Sequence, residues 1–142
     1  MEKISDDSRR EILIDGKNFN TLDEFYNEID NLLTRNLTWK TGHNLDAFND
    51  LLRGGFGVHE YGEPILLKWI NYKKSESDFG YDATILHYKK MLKTCHPSNI
   101  EYVNRKIKDA ELHIGKTLLD IIVEIILDGE SSGHDCKLEK LI

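Results

Sequence analysis

The run Ile65-Leu66-Leu67-Lys68-Trp69, opened by Pro64, constrains the fold more than any other part of the chain. Apolar residues stand at odd and even positions alike, a pattern suited to a central strand covered on both faces, as in parallel sheets. Two other segments carry strand signals. Ile12, Leu13 and Ile14 run into Asp15-Gly16, a strand closing in a turn. The tail from Cys136 to Ile142 alternates weakly around Leu138 and predicts a last strand. Between them the periodicity is helical. Thr21 followed by Glu24 is a capping box, and Leu22, Phe25, Ile29, Leu32 and Leu33 recur at helical spacing to about Arg35. Residues 36–43 read as a loop, after which Asn44 is placed to cap a short helix with Leu45, Phe48 and Leu52 inward, ended by Gly54, Gly55 and Gly57. The stretch from Asn71 to Ser77 is polar. One helix then follows through Ile85, Leu86, Lys89 and Leu92, and Pro97 separates it from another carrying Ile100, Val103, Ile107 and Ala110. Leu118 to Leu127 is apolar around most of its circumference, which predicts a buried helix.

At 142 residues the chain is sized for one domain, 1–142. Its formal charge of −6 argues against attachment to nucleic acid or an anionic membrane through bulk electrostatics. The charge is uneven: residues 1–52 carry a net −5 and 118–142 a net −4, whereas 70–117 carry +3. Leu118–Leu127 falls well short of the ~20 apolar residues a membrane helix needs, so no membrane partner is expected. Glu2, Asp6 and Asp7 without a following apolar segment speak against a secretory signal, and a cytoplasmic location is expected. Cys95 and Cys136 make no disulfide framework, which leaves stability to ordinary burial.

Several chemical motifs are incomplete. Ala110-Glu111-Leu112-His113-Ile114-Gly115-Lys116-Thr117 nearly matches a phosphate-binding loop but lacks its first glycine, follows a helical pattern instead of a strand, and would set Glu111 among phosphates. A helix junction capped by Gly115 is the simpler reading. His87, Cys95, His96, His113, His134 and Cys136 have no zinc-site spacing, so neither a metal nor a cofactor is expected. Lys89, Lys90, Lys93, Arg105, Lys106 and Lys108 are interspersed with Glu101, Asp109 and Glu111, a solvated helix surface and no RNA-binding face.

The informative constellation is Gly42-His43-Asn44-Leu45-Asp46-Ala47-Phe48-Asn49-Asp50-Leu51-Leu52. Asp46 and Asp50, four apart, share one helix face at an unfavourable cost of roughly 0.2–0.5 kcal/mol. The helix dipole welcomes Asp46 in the first turn, but Asp50 lies beyond its reach. Two exposed carboxylates on a short rigid helix are suited to accept charge-assisted bonds from Arg or Lys of a partner. An acid/base pair for hydrolysis uses the same groups, but needs a cleft that sequence does not place.

This segment resembles the Gly-x-Asn-Leu-Asp-Ala-Leu-x-Asp stretch of the barstar family of intracellular ribonuclease inhibitors. Ile14-Asp15-Gly16 is similar to the family's first strand and turn, Pro64–Trp69 to its second strand, and Leu118–Ile142 to its final helix and strand. The resemblance implies an α/β fold: a three-stranded parallel sheet flanked by helices, with a family-like core at 11–69 and 118–142 and a helical insertion at 70–117. It implies a monomeric inhibitor, not an enzyme, whose motif helix and preceding loop plug the active site of a basic ribonuclease or nuclease toxin. Asp46 and Asp50 match the family's two helix carboxylates, Asp50 the dominant one, and Asp128 aligns with a further acidic contact. Asn44 caps the helix, and Trp39, Gly42, Asn49 and Phe56 complete the expected contact set. Departures accompany the match. Lys40 and Thr41 replace two aromatics, Asn49 stands in place of a tryptophan between the carboxylates, and 70–117 far exceeds the family's short connection. The expected partner is therefore a nuclease other than barnase itself. The competing readings are a non-inhibitory binding module that uses the positive middle segment, and a nucleotide hydrolase through Lys116 and Thr117.

Overall fold

A computed structural model describes residues 9–34, 44–128 and 133–142. Three parallel strands, β1 (Arg10–Asp15), β2 (Ile65–Ile70) and β3 (Cys136–Lys140), form one sheet in the order β1-β2-β3. The helices are α1 (Leu22–Leu33), α2 (Leu45–Arg53), α3 (Tyr72–Asp78), α4 (Tyr81–Thr94), α5 (Ile100–Glu111) and α6 (Leu118–Leu127). Thr21 accepts from the Glu24 amide at the start of α1, but Glu24 Oε1 accepts the Asn20 amide (2.8 Å) in place of the Thr21 amide, so the expected capping box is half formed.

The sheet departs from expectation in one respect: it is covered on one face only. Ile12, Ile14, Ile65, Leu67 and Trp69 are buried, while the alternate residues of β2, Leu66, Lys68 and Ile70, are half-buried and Leu13 is 51% exposed. Register sets Leu66 between Glu11 and Lys137, and Lys68 between Leu13 and Glu139. Lys68 pairs with Glu11 at 3.0 Å. Charged neighbours thus break up the apolar surface of the open face, which is how a parallel sheet tolerates water on one side.

The polar stretch after β2 is helical, against the simple reading of its composition. Asn71, in the left-handed region at φ 54°, turns the chain into α3. There Ser75 accepts the buried indole N–H of Trp69 at 3.0 Å, and Lys74 Nζ donates to the carbonyls of Gly16 (3.1 Å) and Phe19 (2.8 Å) while pairing with Asp78. A Cβ on Gly16 would lie 2.7 Å from the Asn71 carbonyl and from Ser75 Oγ, so the close approach of β1 to α3 requires glycine. Trp69 stacks on Phe25 at 5.6 Å, and Phe19 on Phe79 at 5.9 Å, at the centre of the core. Cys95 and Cys136 are free thiols. No helix among the described residues is long and apolar enough to cross a membrane.

Candidate functional site

Helix α2 is held at both ends and along one side. Asn44 Oδ1 accepts the Ala47 amide at 2.7 Å, the N-cap bond. Phe48, Leu51 and Leu52 are buried, with the Phe48 ring 5.4 Å from Phe25. At the C-terminus Gly54 turns the chain at φ 90°, where a Cβ would meet the Glu60 carbonyl at 2.2 Å. The following loop returns beneath the helix: Gly55 donates to His59 (2.7 Å), Gly62 donates to Arg53 (2.6 Å), and the buried His59 Nε2 donates to the Leu52 carbonyl (3.1 Å). A helix whose inner face and ends are fixed this way presents its outer face rigidly.

That outer face carries Asp46 and Asp50, both exposed. Asp46 has no ion-pair partner among the described residues. Asp50 pairs with Arg53, one turn on, at 3.0 Å through Oδ1, with 59% of its side chain still exposed. Arg53 was not anticipated from the sequence, although its i+3 spacing from Asp50 is the signal that finds it. Asn49 is half-buried, and its Oδ1 is buried without a hydrogen-bond partner among the described residues. Near Asp46, burial and then the charges of Asp23 and Asp46 push the Tyr26 phenol well above its ordinary value.

The other anticipated residues are distributed as follows. Phe56 is half-buried in the loop after α2 and packs against the core. Asp128 is exposed at the end of α6. The two regions adjoin, since a Cβ on Gly133, shortly after α6, would lie 3.9 Å from Arg53 Nε. Trp39 and Gly42, with Lys40 and Thr41, lie outside the described residues.

The family model described as Barstar (barnase inhibitor) matches residues 9–95, more than half of the chain. The chain belongs to the barstar family. Its matched span takes in β1, β2 and α1 through α4. Members of the barstar family are inhibitors that bind barnase-like ribonucleases. No curated protein matches the chain.

The remaining motifs have structural roles in this barstar-family chain. The amides a phosphate would need at the start of α6 are occupied: Thr117 and Asp120 form a reciprocal capping box, Leu118 donates to Thr84 Oγ1 (2.7 Å) and Leu119 to the Phe79 carbonyl (3.1 Å). Lys116 pairs with Glu124. His134 Nε2 donates to the carbonyls of Ile125 (2.9 Å) and Ile126 (3.1 Å), so this histidine serves the end of α6. Among the described residues no three histidine, cysteine or acidic side chains are grouped to hold a metal ion.

Proposed function

We propose that this chain is an immunity-type inhibitor of a basic ribonuclease toxin, acting in the cytoplasm by setting the outer face of α2, together with the loop before it, over the nuclease active site. The observation that carries this reading is the outward display of Asp46 and Asp50 on a helix whose opposite face is locked into the core. Carboxylates on a backbone already held in place accept charge-assisted bonds from the Arg and Lys groups that otherwise hold RNA phosphate, at a lower ordering cost than a flexible segment would incur.

The Asp50–Arg53 pair does not cancel this face. An exposed pair one turn apart on a helix contributes about 0.2–0.5 kcal/mol, and Oδ2 of Asp50 accepts no bond among the described residues. A desolvated cation from the target therefore outcompetes Arg53, or shares the carboxylate with it. Asp46 supplies the same sign of charge a turn away, and Asp128 extends the acidic surface from the end of α6.

The test mixes the purified protein with barnase and, separately, with any nuclease encoded in the neighbouring reading frame, and follows RNA cleavage and binding. Inhibition is expected for the neighbouring product and little for barnase. Asp50→Ala is expected to weaken binding by at least about 100-fold, as when one partner of a buried charged contact is truncated, while Glu111→Ala changes it by less than about threefold. Failure to inhibit either nuclease, or equal small effects from the two variants, would rule the reading out.

A further inference from the structure

A groove runs beside the acidic helix, between α1 and the start of α2 on one side and α4 on the other. It consists of two connected hollows of about 400 and 440 Å³ that share Leu22, Asp23, His87 and Lys90. The first continues to Phe79, Asp82 and Leu86; the second opens between Tyr26, Leu45, Asp46 and Met91. Each is within the roughly 300–1,000 Å³ of recognition clefts. The residue assigned above to the inhibitory face, Asp46, is therefore also a wall of this groove.

Its lining is apolar on the floor and acidic at both mouths. Leu118 and Phe79 are buried beneath it, whereas Leu86 is 58% exposed at its edge. Asp46 at one end and Asp82 at the other are exposed and have no ion-pair partner among the described residues. Asp78 is already joined to Lys74. Lys90 is the only lysine or arginine that lines either hollow among the described residues. Burial, and then Lys90, lower the pKa of His87 below its ordinary value, which favours the neutral ring. The groove thus offers an apolar floor with excess negative charge, continuous with the face of α2.

We propose that this groove is a second contact of the inhibitor, receiving a projecting loop of the same nuclease that carries a lysine or arginine next to an apolar side chain. The inference rests on the inhibitory reading of α2 and extends it: α4 becomes the other jaw of the inhibitor. The basic residue is drawn to Asp46 or Asp82, and its apolar neighbour covers Leu86 and the floor. A target lacking such a loop would meet α2 alone, so the groove confers choice among nucleases with similar active sites.

The experiment uses the full chain and whichever of the two nucleases it inhibits. The double variant Asp82→Lys, Leu86→Lys alters only exposed side chains and is expected to raise Kd by at least about 30-fold, chiefly through faster dissociation, while the protein stays folded with a melting temperature lowered by only a few degrees, since Asp82 stands in the first turn of α4. Hydrogen exchange is expected to show residues 82–91 protected in the complex. Kd within about threefold of the parent and unprotected α4 amides, with Asp50→Ala still damaging, would overturn the groove and leave the helix reading standing. A parent dimer that the double variant converts to a monomer with inhibition intact would assign the groove to a second copy and overturn the proposal. Absence of inhibition, or indifference to Asp50→Ala, would remove the helix reading and this inference with it.

Discussion

Asp15 illustrates how much one carboxylate does at the end of a strand. Its Oδ1 accepts from the Lys17 amide (2.9 Å) and from Asn71 Nδ2 (2.8 Å), joining the ends of β1 and β2. The Lys17 amide first, and Asn71 second, hold its pKa below the ordinary 3.8. A carboxylate depressed in the folded state stabilises above its unfolded pKa, and that contribution is lost as pH falls through the folded value. Asp15→Ala is therefore expected to cost about 1 kcal/mol at pH 7, with the gap to the parent narrowing below about pH 4. Urea unfolding at pH 7 and pH 2.5 measures it, and a gap of equal size at both would contradict the assignment. At this scale the sequence was legible for Asn44, whose capping role follows from its position. It was less so for Asp50, because the partner on its own helix, Arg53, is decided by side-chain conformation and not by spacing alone.

Among elements, α4 and α6 are tied by a single hydroxyl. Thr84 is 1% exposed; its Oγ1 donates to the Gly80 carbonyl (2.8 Å) and accepts the Leu118 amide (2.7 Å). Thr84→Val keeps the shape and removes the acceptor, leaving a buried N–H unpaired. A loss of about 1–3 kcal/mol is expected by chemical denaturation. Thr84→Ser retains the hydroxyl and is expected to recover much of that loss, and equal stability of Val and Thr at this position would show that the bond contributes nothing. Helix α3 was hidden from periodicity for a related reason. Its inward residues, Tyr72 and Ser75, include one that is polar, and its stability comes from Trp69, Gly16 and Phe19, which are distant in the chain.

Across the whole molecule, burial is divided unequally. The main core joins the sheet to α1, α2 and α6 through residues such as Ile14, Phe25, Phe48, Trp69 and Ile122. Val103, Ile107 and Ala110 of α5 are buried but stand outside that cluster. Regions with fewer ties to the principal core open first. The α5 amides are accordingly expected to exchange through local opening at lower free energy than those of β2, as native-state hydrogen exchange would resolve; identical opening energies would show that the two unfold together. The three strands and every helix but α3, the cap at Asn44 and the shared exposed face of Asp46 and Asp50 were written in the chain, because alternation, helical spacing and capping depend on near neighbours. Only the folded molecule decided that one sheet face stays open, that Arg53 meets Asp50, that Phe56 and Asp128 sit away from α2 in the loop after it and at the end of α6, and that α4 faces the start of α2 across a groove. Those outcomes depend on which distant segments compete for the same surface, and no local pattern encodes the result of that competition.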